Sequence, residues 1–397
     1  MDISYEGFSF DIIERAKTSK ARRGVLMTPH GALETPNFIF CGTKAAMKGV
    51  TMQQMKEANT SIVLANTYHL LVQPGADVIE RLGGLHRVTG WNGPMLTDSG
   101  GFQIFSMNHR SISSEIKGRG FQGREISLLK IAEEGATFRA YNDGRALFLS
   151  PEKAMEIQWQ LGADLVVQLD ECTPFHVSRD YTAKSLARTW RWGDRCLQRF
   201  SQFVPGKQAV YGLLGGGIYE DLRRASGDYT RDRAFFGTAI GDCMGSTKEE
   251  LYQVTAWAME SAHPDRPVHL LGIGGIADIF EGVALGVDTF DCVAPTRMAR
   301  HGWALLKGRG SERLNLRNSR FRMDTNPIDS TCGCYSCKNF SRGYIHHLIR
   351  AQEILAGQLL SIHNVFTMNR LLADIRQAIT ADTLAQVKKE WLEGDCG

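Results

Sequence analysis

Short apolar runs recur along the chain, each ending in polar or glycine residues, with stretches of helical character between many of them. Continuous runs such as residues 165–169 are typical of strands buried on both faces, as in parallel sheets. There are eight such runs, at residues 38–40, 62–65, 95–97, 165–169, 209–214, 235–240, 269–273 and 287–293. Eight strands alternating with helices predict an α/β fold of the (β/α)8 barrel type.

Capping residues predict where two of the intervening helices begin. Ser150 precedes a proline that suits a first helical turn. Ser246 is followed by Glu249 at the spacing of a capping box. Helices are therefore expected to follow the third-strand insertion and the sixth strand.

Turn residues predict two hairpins outside the repeat. One spans residues 24–36, and the other surrounds the Asn-Asp-Gly turn at 142–144, within an insertion near residues 106–149. The pattern then divides the chain into three parts. These are the barrel with its N-terminal hairpin and insertion (1–300), a subdomain beyond the eighth strand (301–370), and a C-terminal helix (371–397).

Composition and charge narrow the class of protein. The 397 residues are 43% hydrophobic and 22% charged, which is typical of a soluble globular protein. The N-terminus has no secretory pattern and no run of about 18 apolar residues occurs, so a cytoplasmic location without membrane association is expected. The net charge of +3 is too small to indicate nucleic acid. Residues 297–322, however, carry eight basic residues against one acid, which predicts either a phosphate-binding face or an ordinary solvated loop.

Three of the nine cysteines fall within six residues, while the other six are scattered singly. Without secretory features, such a cluster indicates a metal site in preference to disulfides. Cys332, Cys334 and Cys337 need one further ligand to complete the tetrahedral shell of zinc. Spacing alone favours the nearer histidines among the candidates His346, His347 and His363.

Aspartates stand where three of the predicted strands end: Asp98, Asp170 and Asp291. The carboxyl ends of barrel strands build the active sites of these folds. A charge at the end of an apolar strand is costly unless it is paired or used. Converging carboxylates supply a nucleophile and a general acid/base in glycosyl transfer. The alternative is that one or two of them merely cap the following helices.

Longer motifs make a family recognisable. They are Thr-Asp-Ser-Gly-Gly-Phe-Gln at 97–103, Phe-Asp-Cys-Val-Ala-Pro-Thr-Arg at 290–297, and the cysteine cluster followed by Ser-Ile-His-Asn at 361–364; weaker support comes from 35–38, 66–70 and 169–172. On these motifs the chain resembles the tRNA-guanine transglycosylases over about residues 20 to 370.

The resemblance implies exchange of guanine at the anticodon wobble position (34) of tRNA for a 7-deazaguanine base. By position in the motifs, Asp291 resembles the nucleophile that attacks ribose C1′ and forms a covalent enzyme–RNA intermediate. Asp98 resembles the general acid/base. Asp170 resembles the residue that binds the guanine-like edge, where an ionised carboxylate accepts from N1–H and the exocyclic amine.

The resemblance also implies the remaining contacts. Phe102 and Leu271 occupy the positions of the two faces of a base sandwich. Arg297 and Arg300 resemble anticodon-loop contacts, with the basic run beyond them on backbone phosphates. His363 becomes the fourth ligand of a structural zinc. The family commonly works as a homodimer, with the zinc subdomain as the expected contact region.

Two stretches depart from the family pattern. Gly215 stands where the family usually has a glutamine that contacts the base carbonyl, which removes a donor and is expected to open volume. The loop from Gly241 to Ser246 lacks the usual second glycine, apolar trio and glutamate, and it is one residue shorter. With Phe102 replacing a common tyrosine, these changes lead to the hypothesis that the incoming base is queuine. The alternative is an unchanged substrate, the smaller aminomethyl precursor.

Two further alternatives belong to other functional classes. A non-catalytic partner subunit of the same fold should lack the acids, yet Asp98, Asp170 and Asp291 are all present. A zinc-bearing barrel hydrolase that acts on small glycosides is the other alternative. The basic residues at 297–322 argue against it, because a small neutral glycoside has no phosphates for them to bind.

Overall fold

A closed barrel of eight parallel strands forms the centre of the computed structural model, which describes residues 3–106, 128–173, 177–242, 244–308 and 310–394. In chain order the barrel strands are β4 (Asn37–Cys41), β5 (Val63–Ala65), β6 (Met95–Thr97), β10 (Leu165–Val167), β11 (Ala209–Leu214), β12 (Gly237–Ile240), β13 (Val268–Leu270) and β14 (Thr289–Cys292). Neighbouring strands in this order pair with each other, and the barrel closes where β14 pairs with β4. Each lies within, or overlaps, a predicted apolar run, and the (β/α)8 prediction is confirmed.

Helices surround the barrel and extend beyond it. They are α1 (Met52–Glu57), α2 (Thr67–Val72), α3 (Ala76–Arg81), α4 (Gly84–Thr89), α5 (Gly101–Ser106), α6 (Pro151–Leu161), α7 (Arg179–Phe200), α8 (Glu220–Arg231), α9 (Lys248–Ser261), α10 (Ile276–Ala284), α11 (Ala294–Arg300), α12 (Tyr335–Asn339), α13 (Arg342–Arg350), α14 (Ile354–Ala381) and α15 (Leu384–Leu392), with a 3-10 turn at Ser319–Phe321. Within the described residues, none is both long and apolar enough to span a bilayer.

The two predicted helix starts behave differently. Ser150 caps α6 as predicted, with its hydroxyl accepting from the backbone N–H of Lys153. The start of α9 is displaced by one residue, because Thr247 is the N-cap and accepts from the N–H of Glu250. Glu250, rather than Glu249, then accepts from the N–H of Ser246. Ser246 and Thr247 are both suitable N-cap residues, and the helix begins after the second of them.

Among the described residues, two three-stranded antiparallel sheets lie outside the barrel, in addition to a two-stranded hairpin in the region beyond it. The N-terminal sheet contains β1 (Ser9–Arg15), β2 (Arg22–Thr28) and β3 (Gly31–Thr35), which confirms the first predicted hairpin and adds a strand. The inserted sheet contains β7 (Leu128–Ala132), β8 (Gly135–Arg139) and β9 (Ala146–Leu149). β8 and β9 pair across the predicted Asn-Asp-Gly turn. Residues 107–127 of the predicted insertion lie outside the described residues.

A buried ion pair joins the N-terminal sheet to the barrel. Arg22, at the start of β2, donates from Nε to Asp288 Oδ1 at 2.9 Å, and both side chains are almost fully buried. Asp288 directly precedes β14 and also accepts from the N–H of Val268 at 2.7 Å. The pair therefore fixes the sheet at the start of the last two barrel strands.

The region beyond β14 has its own apolar cluster, which includes Phe321, Ile328, Ile345 and the three clustered cysteines. It contains the short hairpin of β15 (Trp303–Leu305) and β16 (Arg313–Asn315). The 28-residue helix α14 runs across the boundary placed at residue 370. Its buried residues contribute to both this cluster and the barrel core, so α14 connects the two.

Candidate active site and metal centre

Asp98 directly follows β6 and is held by the start of α2. Its Oδ1 accepts from the backbone N–H of Thr67 at 2.9 Å, and its Oδ2 accepts from the side-chain amide of Asn66. Burial raises the pKa of Asp98 to about 7, and the nearby charge of Asp291 acts in the same direction against the lowering effect of these hydrogen bonds. A carboxyl group with this pKa gains and loses a proton near neutral pH.

Asp291 lies within β14, at the same end of the barrel. Its Oδ1 accepts from the N–H of Gly272 at 2.9 Å, and Nε2 of the buried His269 lies 3.2 Å from the same oxygen. The thiol of Cys41, at the end of β4, donates to Oδ2 at 3.3 Å. A thiol is a weak donor. Oδ2 is therefore the less strongly held of the two oxygens.

Asp170 follows β10 by three residues and is buried. The hydroxyl of Ser99, next to Asp98, donates to its Oδ1 at 3.2 Å. Burial raises the pKa of Asp170 to about 7, helped by the charges of Asp242 and Asp98. The three predicted acids therefore form one electrostatic group, in which Asp98 interacts with both of the others.

The predicted base-stacking residues stand around this group. Phe102, on α5, is 52% exposed. Leu271 follows β13 and is half-buried. Gly241 allows its approach, because a Cβ at that position would lie only 2.9 Å from Leu271 Cδ1 and 3.1 Å from Leu213 Cδ1. An exposed aromatic ring and an aliphatic side chain, each placed just after a strand that ends at the barrel mouth, suit a flat ligand.

The expectation that Gly215 opens volume stays a prediction, because the atoms around this position lie at ordinary van der Waals distances. A Cβ built on Gly215 would lie 3.4 Å from the Cβ of Asp242 and 3.6 Å from Leu186 Cδ1. Asp242 stands immediately after Gly241, with a left-handed φ of +66°. The side chain of Asp242 therefore lines the space beside Gly215. Cys243, in the same loop, lies outside the described residues.

Cations from two elements gather at the barrel mouth. Arg297 and Arg300 are exposed on α11, directly after the strand that carries Asp291. Lys48 and Lys44 belong to the segment after β4. The pKa of Lys48 is lowered, first by burial and then by the positive charges of Arg300, Arg297 and Lys44. Mutual repulsion of this kind marks a surface suited to an anionic partner.

An aromatic side chain borders the same cations. Lys44 Nζ lies 5.1 Å from the ring centroid of Tyr141, which belongs to the turn of the inserted sheet and is 43% exposed. The ring of His69 is 5.5 Å from that of Tyr141. Lys44, Lys48, Arg297, Arg300 and Tyr141 are called the cationic rim below. Cations interleaved with an exposed aromatic ring suit phosphate and base contacts.

The four predicted metal ligands come together in the interior of the subdomain. Cys332, Cys334, Cys337 and His363 are all buried, and their ligand atoms lie within 4.8 Å of one another. His363 Nδ1 is 3.6 Å from the first two sulfurs and 3.3 Å from the third. Zinc bonds of about 2.3 Å to sulfur and about 2.0–2.1 Å to nitrogen give tetrahedral edges near these lengths. The other ring nitrogen, Nε2, lies 2.8 Å from the Leu305 carbonyl, which fixes the ring orientation.

The nearer histidine takes another role. His346 is buried on α13, with Nδ1 2.8 Å from the carbonyl of Leu316. It packs in the same subdomain but is not part of the four-residue cluster. Spacing along the chain favoured it, whereas the fold brings His363 to the sulfurs from α14.

Comparison with known proteins identifies the family. The family model of queuine tRNA-ribosyltransferase (TGT) matches residues 17–395. The chain belongs to this family. A queuine tRNA-ribosyltransferase of Roseiflexus sp. (strain RS-1) is 44% identical over 97% of this chain and 99% of its own length. Proteins of the same name from Nostoc sp. (44%) and Staphylococcus aureus (42%) each align over 97% of this chain and over 97% and 96% of their own lengths.

Three side chains of this family member were not found as site residues from the sequence. His269 and Cys41 contact Asp291 from neighbouring strands, and Asp242 stands beside Gly215. Asp242 lies two residues after β12, whereas His269 lies in the middle of β13. The end of a strand was therefore an indication for Asp242 and not for His269.

Proposed function

We propose that the protein is a tRNA-guanine transglycosylase that replaces guanine at wobble position 34 by a 7-deazaguanine base through a covalent Asp291–ribose intermediate. The observation that carries the proposal is the pairing of Asp291 with Asp98 at one end of the barrel. Asp291 is fixed by the N–H of Gly272, and Asp98 has a pKa of about 7. Family membership supports the same reaction class.

The reaction consists of two displacements at ribose C1′. Asp291 Oδ2 attacks C1′, the C1′–N bond to guanine breaks, and Asp98 gives its proton to the departing base. The incoming base then loses a proton to Asp98, and its nitrogen displaces the Asp291 oxygen from C1′. Each proton taken from Asp98 in the first step returns in the second. Because the glycosidic bond is exchanged rather than hydrolysed, no abasic site is left in the RNA.

The RNA reaches the carboxylates across the cationic rim. Arg297 and Arg300 lie within nine residues of Asp291, and Lys44 and Lys48 approach from the segment after β4. Phosphates on either side of residue 34 bind these cations, while Tyr141 offers a ring for a flanking base. The wobble base itself must leave the loop stack to enter between Phe102 and Leu271.

Zinc is proposed as a structural ion held by Cys332, Cys334, Cys337 and His363. Four protein ligands leave no open coordination position, so the ion maintains the subdomain and takes no part in the displacements. The subdomain surface is the proposed contact of a homodimer, and sedimentation of the zinc-loaded protein measures that assembly. A cytoplasmic location remains a prediction from the sequence.

The identity of the incoming base is a narrower proposal. The support for queuine is the missing side chain at Gly215, Phe102 in place of the common tyrosine, and the altered loop after β12. Asp242 lines the space beside Gly215. Competition between queuine and the aminomethyl precursor on guanine-loaded tRNA decides the question. Use of the precursor with no use of queuine would exclude this part of the proposal.

The covalent step is tested by trapping. Wild-type enzyme mixed with tRNA and 9-deazaguanine, which cannot rejoin the ribose, is expected to give a protein–RNA band that survives denaturing electrophoresis. Asp291→Asn keeps the shape but not the nucleophile, so its band is expected to fall by at least about a thousandfold. Asp180→Asn, an exposed acid at the start of α7, is the matched control and should retain the band. Absence of a band from wild-type enzyme would favour the partner subunit or the hydrolase.

A further inference from the structure

His269 places a ring nitrogen beside the proposed nucleophile. It is the middle residue of β13 and stands opposite Thr289 of β14 in the parallel pairing. Side chains two residues apart on a strand project to the same side, so Thr289 and Asp291 share one side of β14. The imidazole contacts both of them, with Nδ1 2.9 Å from Thr289 Oγ1 and Nε2 3.2 Å from Asp291 Oδ1. The ring therefore lies between a hydroxyl group and the carboxylate that attacks the ribose.

Burial makes the state of the two ring nitrogens significant. The side chain of His269 is fully buried, and a buried polar group is costly unless it is hydrogen-bonded. Among the described residues, Nε2 has no well-aligned hydrogen bond, although Asp291 Oδ1 is within reach. An incompletely used polar atom in the interior needs an explanation, and the adjacent carboxylate supplies one. The imidazole is therefore a candidate for a role in the reaction of Asp291.

The surroundings decide which nitrogen carries hydrogen. Without hydrogen on Nε2, its lone pair would face an oxygen of Asp291 at 3.2 Å, and two acceptors repel each other. With hydrogen on Nε2, Nδ1 of the neutral ring accepts from the hydroxyl of Thr289. The ring then directs an N–H toward Asp291 Oδ1, beside the N–H of Gly272 at 2.9 Å. Oδ1 thus faces nitrogen donors, whereas Oδ2 faces only the weakly donating thiol of Cys41 in the described residues.

The charge on Oδ1 changes during the proposed reaction. Asp291 begins as a carboxylate whose negative charge is shared by both oxygens. When Oδ2 bonds to C1′, Oδ1 becomes the carbonyl oxygen of an ester and loses its share of that charge. The second displacement returns the charge to the carboxylate. Hydrogen bonds to ionised acceptors are roughly twice as strong as those to neutral ones, so donors at Oδ1 favour the free carboxylate over the ester.

We propose that His269 is a positioning residue that accelerates the second displacement, because its Nε2–H stabilises the negative charge that returns to Asp291 Oδ1. This inference rests on the proposed function and adds to it a control over the lifetime of the covalent intermediate. In that step the C1′–Oδ2 bond breaks, its electron pair stays on Asp291, and C1′ bonds to the nitrogen of the incoming base. His269 keeps its own hydrogen throughout. Without the imidazole, the ester persists for longer.

The two displacements can be measured separately in the zinc-loaded enzyme. Single-turnover release of labelled guanine from tRNA reports the first, and loss of the isolated covalent complex at saturating guanine reports the second. His269→Phe keeps a flat ring without a donor. It is expected to slow the second displacement by about tenfold without slowing the first, so that covalent enzyme–tRNA accumulates. His269→Gln, with an amide that replaces the Nε2–H donor, is expected to restore most of the second rate.

A buried histidine remote from the acids controls for the loss of packing. His346→Phe is expected to lower Tm and to leave the ratio of the two rates unchanged. Equal slowing of both displacements in His269→Phe, or slowing of the first alone, would overturn the inference, because a purely structural role has no preference for the second step.

Thr289→Val tests the same contact without changing the imidazole, and it decides the question if His269→Phe does not fold. Valine has the shape of threonine but leaves Nδ1 without its hydroxyl partner, so the second displacement alone should slow, by about threefold. An unaltered ratio of rates in folded Thr289→Val contradicts the role given to His269. Failure of wild-type enzyme to form any covalent complex would instead contradict the transglycosylase proposal itself, so the two failures are distinguishable.

Discussion

The pKa of Asp98 shows how neighbouring groups change the proton affinity of a single residue. Burial favours its protonated form, whereas the N–H of Thr67 and the amide of Asn66 favour the ionised form, and the result is a pKa of about 7. Asn66 also caps α2, since its side-chain oxygen accepts from the N–H of His69 at 3.0 Å. Serine at this position keeps the cap but is too short to reach Asp98.

Asn66→Ser is therefore expected to raise the pKa of Asp98 above 7. Because the protonated acid is needed when guanine leaves, the alkaline limb of kcat/KM for guanine exchange should move up by about one pH unit. The pH profile of radiolabelled guanine incorporation measures this. Asn92→Ser, on an exposed loop, is the control. If the alkaline limb of kcat/KM stays at the same pH or moves to lower pH in Asn66→Ser, Asp98 is excluded as the group that titrates.

The sequence indicated the strand-end aspartates as candidate site residues, because a charge at the end of a buried strand is costly unless it has a partner or a catalytic role. It did not identify Cys41, His269 or Asp242 as site residues. Their importance comes from neighbours on other strands: Cys41 and Asp291 are 250 positions apart, and Thr173 and Asp242 are 69 apart. Periodicity reports which face a residue occupies and does not report which distant residue shares that face.

At the scale of elements, α14 links the cysteine–histidine cluster to the segment that follows Asp291. His363 belongs to the cysteine cluster, and the next residue, Asn364, donates to the carbonyls of Pro295 at 2.9 Å and Trp303 at 3.1 Å. Pro295 lies at the start of α11, four residues after Asp291. The positions of the zinc ligands and of α11 are therefore set by neighbouring residues of one helix.

Cys334→Ser is expected to lower the zinc content and to destabilise the fold by on the order of 3 kcal/mol, with loss of tRNA trapping as a consequence of unfolding. Metal analysis and thermal denaturation measure the two effects. Cys396→Ser, which changes a cysteine remote from the cluster in sequence, is the control. A folded, zinc-free Cys334→Ser protein with normal trapping and normal assembly would refute a structural role for the cluster.

Element boundaries followed from sequence to differing degrees. The barrel strands were found because both of their faces are buried, which produces continuous apolar runs. The division at residue 370 was drawn where the motifs end, yet α14 continues from Ile354 to Ala381. A helix buried on several sides by two different clusters has weak amphipathic character, so its extent is poorly marked in sequence.

At the scale of the whole molecule, the Arg22–Asp288 pair is the clearest stabilising contact between the N-terminal sheet and the barrel. Burial raises the pKa of Asp288, while Arg22 lowers it. Removing the cation leaves a buried acid without a partner, and Arg22→Met is expected to reduce the free energy of unfolding by roughly 3–5 kcal/mol at pH 7.

The pH dependence of that loss follows from linkage. Without Arg22 the pKa of Asp288 in the folded protein rises further above its unfolded value, so stability falls as pH increases from about 4 toward the raised pKa. Denaturant unfolding at pH 5 and pH 8 should show the larger deficit at pH 8. In Arg22→Met with Asp288→Asn this dependence should disappear. An equal deficit at both pH values would contradict the account.

The order of synthesis gives α14 one more consequence. Every aspartate assigned to the site is made before residue 300, whereas His363 and Asn364 are added some sixty residues later. A ribosome-bound chain that already exposes Asp98, Asp170 and Asp291 therefore lacks the helix that holds Pro295. We expect the growing polypeptide to be unable to capture an anticodon loop until α14 has been made and can hold Pro295.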